Sequence, residues 1–380
     1  MHILIAPNAF KNSLTAYDAA QAIQKGLTKS TLQCTTTCFP IADGGDGTAG
    51  LIIQQLQGKV VPVQVRDPLG RLIDASFGLI ENGHTAVIEM ADASGLRLLD
   101  SKELNPLLAT SSGTGKMISM ALDNGVNKII IAMGGSATVD GGTGILAALG
   151  ARFLDKDGRE LINMPQSLPN LERVDVAGLD KRLSDCEIIV LCDVDNKLLG
   201  AQGAATVFGP QKGADAEAVK MLDEGLARFN EVTLKSTGKD MAGVKYGGAA
   251  GGASAGVYAW LNASLVNGID YFLELTGFNA ALDKSTLVIT GEGSIDQQTL
   301  QGKGPFGVAR NAKLKGIPVI GLAGKIPPKP NEQLSKYFDV LLAIGNEPAD
   351  IKTAMSLTGQ NLTRVSKEIA TLIKLGIAFG

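Results

Sequence analysis

Histidine, cysteine and aromatic residues are scarce in this 380-residue chain, and each scarcity removes a class of chemistry. The two histidines are His2, at the terminus, and His84, in the turn-like ENGHT, so any proton transfer is expected to fall to carboxylates. Four cysteines, Cys34, Cys38, Cys186 and Cys192, lie in apolar strand-like segments without CxxC spacing. That reads as buried reduced thiols rather than a disulfide framework or a zinc site. The lone Trp260 and an aromatic content of 4% leave no stacking platform for nucleic acid. A net charge of −3 with mixed signs gives no broad field for a polyanion or an anionic membrane. No apolar run approaches the roughly 20 residues that cross a bilayer, and MHILIAPNAF has no basic region ahead of its apolar run, so a cytoplasmic location is expected. The P-loop and the protein kinase motifs are missing too. TSSGTGKM ends in GK, but Thr110 stands where a P-loop needs glycine and Met117 where it needs serine or threonine.

Glycine is what the chain has in excess: 47 residues, about 12% against the roughly 7% of average usage. Thirteen of the 47 fall in five segments of one grammar, in which a glycine cluster and a carboxylate, lysine or hydroxyl follow a strand or precede a helix: ADGGDGT, TSSGTGK, GGSATVDGG, FGPQKGA and TGEGSID. Glycine lets backbone N–H groups approach a ligand with no Cβ in the way, and a helix N-terminus adds a favourable dipole for an anion. Singly, each loop reads equally as a tight turn or helix cap. Five converging loops would suit a substrate with several anionic groups.

Length and rhythm place these loops. A chain of 380 residues is expected to divide into two domains. MHILIAP reads as a buried strand, Thr15 and Asp18 form a T-x-x-D cap before the helix YDAAQAIQKGL, TTTCFPI is a second strand, and GLIIQQLQG a second helix. From Val61, VPVQVRDPLGRLIDASFGLIENGHTAVIEM alternates apolar and polar residues around the turn signals DPLG and ENGH, which reads as antiparallel. A helix from about Gly115 to Asn124, the strand NKIIIAM, the helix TGILAALG, a hairpin candidate across ARFLDKDGREL, the strand EIIVLCDV and a helix from about Asp215 to Leu234 follow. TLVITGEGS, IPVIGLAG and FDVLLAIG then restore the parallel rhythm. The predicted class is α/β: a doubly wound parallel, flavodoxin- or Rossmann-like sheet built from both termini (residues 1–62 and 285–380), with an inserted mixed α+β domain (63–284) and the active site in the cleft between them.

Carboxylates beside glycine loops suggest magnesium, which is commonly held by one or two carboxylates plus phosphate oxygens. The candidates are Asp43, Asp46, Asp140, Asp193, Asp195, Glu292 and Asp296, each with an Asx turn or N-cap as its alternative. Asp193 ranks first because it ends a long apolar strand. Asp140 either caps the following helix or reaches a metal. Lys11 in PNAFKNSL and Lys212 in FGPQKGA are lysines in otherwise uncharged loops, suited to a substrate carboxylate or a transferring phosphate. Ser13 reads as a cap rather than a nucleophile.

The same segments resemble the glycerate kinase family of the bacterial type 1 class. The resemblance runs through MHILIAPNAFKNSLTA, FPIADGGDGT, TSSGTG, GGSATVDGG, CDVDNKLLG, FGPQKGA, AAGGASAG and TGEGSIDQQTLQGK, nearly the whole chain in order. The sequence departs from the family pattern at Asn8, where aspartate is usual, at Asp46, where glutamate is common, and at Val139, where asparagine is common. The resemblance implies an ATP- and magnesium-dependent kinase that phosphorylates D-glycerate, with 2-phosphoglycerate preferred over 3-phosphoglycerate as product. On that reading Asp193 orients the acceptor hydroxyl as base. Lys11 and Lys212 meet the substrate carboxylate or phosphate. Gly134, Gly135 and Ser136, with Asp43, Gly44 and Gly45, line the substrate and nucleotide site, and Glu292 with Asp296 ligates magnesium. Small molecules are the expected partners, a homo-oligomer is left open, and neither nucleic acid nor membrane is expected. The rival readings are a hydroxy-acid dehydrogenase, disfavoured by the scarcity of histidine, and a non-catalytic binding protein for a small acid.

Overall fold

A computed structural model describes residues 1–162, 164–329 and 331–379. Residues 1–43 contribute strands β1 (His2–Pro7) and β2 (Thr35–Cys38). Residues 44–268 contribute β3 (Lys59–Arg66), β4 (Leu72–Ile80), β5 (Thr85–Glu89), β6 (Lys128–Ala132), β7 (Arg152–Leu154), β8 (Arg173–Asp175), β9 (Glu187–Cys192) and β10 (Ser264–Asn267). The remainder contributes β11 (Leu287–Ser294), β12 (Val319–Lys325) and β13 (Val340–Ala343). The first and last segments form one compact unit and the middle segment another.

The terminal unit is a five-stranded sheet in the order β13-β12-β11-β1-β2, parallel throughout, as the two ends of the sequence predict. β1 lies between β2 and β11, with Ile3, Leu4, Ile5 and Ala6 fully buried, the continuous apolar run expected of a parallel strand covered on both faces. Helix Ala16–Thr28 starts where the cap pattern places it, the Thr15 hydroxyl accepting the Asp18 N–H at 3.1 Å. Its Ala19, Ala20, Ile23 and Leu27 share a core with Leu362, Val365 and Ile369 of the long C-terminal helix Thr358–Phe379.

The middle unit holds a six-stranded mixed sheet in the order β10-β9-β6-β5-β4-β3. β10, β9, β6 and β5 run parallel, while β5, β4 and β3 pair antiparallel, matching the alternation after Val61. The DPLG turn closes the β3–β4 hairpin because one Asp67 oxygen accepts the N–H groups of both Leu69 and Arg71, each at 2.9 Å. At ARFLDKDGREL the turn forms, with Asp155 accepting from Asp157 and Arg159. The ladder partner of β7 is nevertheless β8, twenty residues on, and only an isolated bridge joins Leu154 to Glu160.

The chain passes between units at 43/44 and 268/269, not at 62 and 285. Helix Thr48–Gln55 belongs to the middle unit, where Ile53 packs so tightly on β4 that a Cβ at Gly78 would lie 2.2 Å from its Cγ1. The stretch after Gly268 belongs to the terminal unit, where the Phe278 ring meets Phe39 edge-on at 5.3 Å. All four cysteines are free thiols, Cys186 and Cys192 buried and the other two half-buried. Among the described residues no helix is long and apolar enough to cross a membrane.

Candidate active site

β6 delivers the chain into GGSATVDGG at the C-terminal edge of the middle sheet, and helix Thr143–Ala148 leaves it. Asp140 is fully buried in this loop. Its Oδ2 accepts from the Ser111 N–H at 2.8 Å, the Ser111 hydroxyl at 2.7 Å and the Gly144 N–H at 3.2 Å, and its Oδ1 from the Gly142 N–H at 2.9 Å. Four donors occupy the carboxylate. Asp140 is therefore a cap that ties the start of helix Ser112–Asp123 to the start of helix Thr143–Ala148. Gly134 lies against the ADGGDGT segment: its N–H donates to the Gly44 carbonyl at 3.0 Å, and a Cβ there would stand 2.4 Å from the Gly45 Cα. Only glycine allows that approach.

Lys212 comes to the same loop from a distant part of the sequence. It is 3% exposed, and its Nζ donates to Ser136 Oγ at 2.9 Å and to the Thr138 carbonyl at 2.7 Å. Burial lowers its pKa to about 7, against the pull of Asp140 and Asp193. Two of its three donors are thus engaged inside the protein. Asp193, half-buried, is mounted immediately after β9. Within the middle unit the structure thus gathers Lys212, Ser136, Asp193 and the glycines 134 and 135.

The terminal unit carries its own polar cluster at the C-terminal ends of β1, β2 and β11. Asp43 Oδ2 accepts from the Asn8 side-chain amide at 3.1 Å and from the Gly304 N–H at 3.2 Å, at the start of helix Gly304–Leu314. Glu292 is buried and accepts from the Thr299 hydroxyl at 3.1 Å. Its pKa is pushed up to about 7, first by burial and then by Asp43, with Asp296 adding to the rise and Lys303 and Thr299 opposing it. Asp296 also supports its own turn, accepting from the Gln298 N–H at 2.8 Å and the Ser294 hydroxyl at 3.4 Å. Lys11 is exposed on the tight turn between Phe10 and Leu14.

A family model described as the glycerate kinase family matches residues 3–374. The chain belongs to the glycerate kinase family. It is 42% identical over 375 residues to the glycerate kinase of Bacillus subtilis, covering 99% of this chain and 98% of that one. It is also 42% identical over 381 residues to the glycerate 2-kinase of Escherichia coli, covering 99% of both. A crystal structure of a glycerate kinase 2 from Salmonella typhimurium LT2 superposes with a TM-score of 0.84 at 40% identity, over 100% of this chain and 99% of that one. The α/β architecture read from the sequence is thus the family's own, and the family is one of phosphotransferases.

For a family whose members transfer phosphate, the carboxylates can be tested against magnesium. Among the described residues no three histidine, cysteine, aspartate or glutamate side chains converge into a ready-made metal cage. Glu292 beside Asp43 and Asp296 is a set of like charges in mutual repulsion. That fits a cation that keeps waters and phosphate oxygens and takes only one or two carboxylates. Two concavities of about 470 and 500 Å³ lie in the middle unit, one beside helix Thr48–Gln55 and the other around Trp260, and neither is lined by the candidate residues.

Two residues belong to these clusters that the sequence did not put forward. Asn8, neutral where the family pattern has aspartate, donates its side-chain amide to Asp43. Glu89 ends β5 at 3% exposure, and its carboxylate accepts from the Gly47 N–H at 2.9 Å and the Ala49 N–H at 2.8 Å. The signal was available: a charged residue closing the apolar run TAVI, the same pattern that singled out Asp193.

Proposed function

We propose that this protein is an ATP- and magnesium-dependent kinase that phosphorylates D-glycerate to 2-phosphoglycerate. The observation that carries the reading is the near-full-length match to glycerate kinases at about 42% identity. The 2-position follows the name of the Escherichia coli relative.

Phosphoryl transfer gives a protein little covalent work, so catalysis rests on positioning and on charge stabilisation. The glycerate hydroxyl oxygen attacks the γ-phosphorus of ATP, the bond to the β–γ bridging oxygen breaks, and the hydroxyl proton passes to Asp193. Lys212 holds Ser136 in place by donating to its hydroxyl, with Gly134 and Gly135 presenting backbone there. Lys11 meets a substrate carboxylate or phosphate. Asp43, Gly44 and Gly45 line the binding residues. Magnesium, carried by Glu292 and Asp296, would neutralise charge on the transferring phosphate.

Phosphorus NMR of a reaction of ATP, magnesium and D-glycerate tests this directly. A 2-phosphoglycerate resonance is expected; a 3-phosphoglycerate resonance revises the product, and no ester signal refutes the kinase. Asp193→Asn should lower kcat by about 10²- to 10⁴-fold with an unchanged thermal transition. Near-normal turnover would remove Asp193 from the role of base.

A further inference from the structure

The ADGGDGT segment has the look of an anion cradle, a glycine run opening helix Thr48–Gln55. The amides of Gly44, Gly47, Thr48 and Ala49 are already taken. The Gly47 and Ala49 N–H groups donate to the two oxygens of Glu89, and the Gly44 N–H donates to the Thr48 hydroxyl at 3.1 Å, while that hydroxyl donates to the Gly45 carbonyl at 2.6 Å. No substrate phosphate can use the Gly47 and Ala49 donors while Glu89 is in place. The segment then passes its position on, since the Gly44 carbonyl accepts from Gly134, at the start of the loop that carries Ser136.

We propose that Glu89 is a positioning residue for the transfer reaction, an internal carboxylate that occupies the helix N-terminus and fixes segment 44–49 against loop 134–136. Its kinetic part rests on the kinase reading above. The charged groups around Glu89 are Asp46, on the segment it holds, and Asp92, on the short helix Met90–Ser94; Arg97 pairs with both. Burial raises its titration to about 8, with Asp46 and Asp92 adding to the rise and the two backbone donors opposing it. Acceptance by both oxygens is the geometry of the ionised form. The hold on the segment therefore weakens as pH falls through that value.

The test compares the full-length protein with Glu89→Gln, which keeps the volume and turns an –NH₂ toward one of the two amides, and Glu89→Ala, which empties the place. Amide exchange and the pH dependence of kcat are read for each. Exchange at Gly47 and Ala49 should rise by about tenfold or more in both variants. The kcat of Glu89→Gln should fall by about tenfold or more, and the acid limb of its pH profile should lose one ionisation. Unchanged exchange at those two amides overturns the inference, and so does a kcat within about twofold of wild type or a pH profile of unaltered shape. If Glu89→Ala does not fold, Glu89→Gln alone decides. A wild-type protein inert toward glycerate would refute the kinase reading, while the exchange comparison would still decide what Glu89 holds.

Discussion

Lys212 is a buried lysine far from its ordinary solvated environment. Its proton is held more weakly in the folded chain, at about 7, than at the ordinary 10.5, so between those values the unfolded state binds more protons than the folded one. Stability from this group therefore rises with pH across that window, by at most about 1.4 kcal/mol per unit. Lys212→Met removes the dependence. The melting temperature of wild type relative to Lys212→Met should climb between pH 7 and pH 10, and a constant difference would contradict the burial argument. Asp140 makes the opposite case, a carboxylate satisfied by four donors. Asp140→Asn turns an –NH₂ toward one set of those donors and should cost about 2–3 kcal/mol in urea unfolding. The role of Asp140 could not be read locally, because a cap and a metal ligand both ask for a carboxylate beside glycines. What decides it is Ser111, brought in from 29 residues earlier.

Among elements, TSSGTGK shows how the glycine grammar misleads. The segment opens helix Ser112–Asp123, and a Cβ at Gly115 would stand 2.5 Å from the Ile145 carbonyl and 2.8 Å from the Ala148 Cβ, so its bare backbone serves the contact with helix Thr143–Ala148. Gly115→Ala should destabilise by about 1–3 kcal/mol through overpacking, although alanine is the better helix former by about 1 kcal/mol. A stabilised variant in thermal melts would mean the two helices have room to separate. Strands were legible because runs such as EIIVLC and TLVIT are apolar without interruption, as parallel strands buried on both faces must be. Helix Thr48–Gln55 was legible as a helix but not as a member of the middle unit. Its buried face, Ala49 with Ile52 one turn on, says that it packs against a core and carries nothing about which one. Glu89 escaped for a related reason: its partners lie about forty residues upstream and are backbone amides, which no side-chain motif announces.

In the whole molecule, each unit encloses a core of its own. Every residue of the larger one, from Val63 to Ala263, comes from the middle segment. The smaller core draws on Ile3 to Leu32 and on Leu287 to Ala370, from both ends of the chain. Residues 44–268 expressed alone should therefore show a cooperative thermal transition of their own while turning over no glycerate; a chain that melts without cooperativity would show that the middle core needs the flanking segments. The two-domain plan was readable because parallel-type strands cluster at both termini, and the hairpin alternation after Val61 set the middle apart. The pairing of β1 with β11, Ile3 beside Leu287, has a consequence during synthesis. The first strands leave the ribosome early, and the neighbour that completes their sheet arrives only after the whole middle unit has been made and has had time to fold. Until then β1 has one flank unpaired, so the terminal sheet can close only after the middle segment has been made.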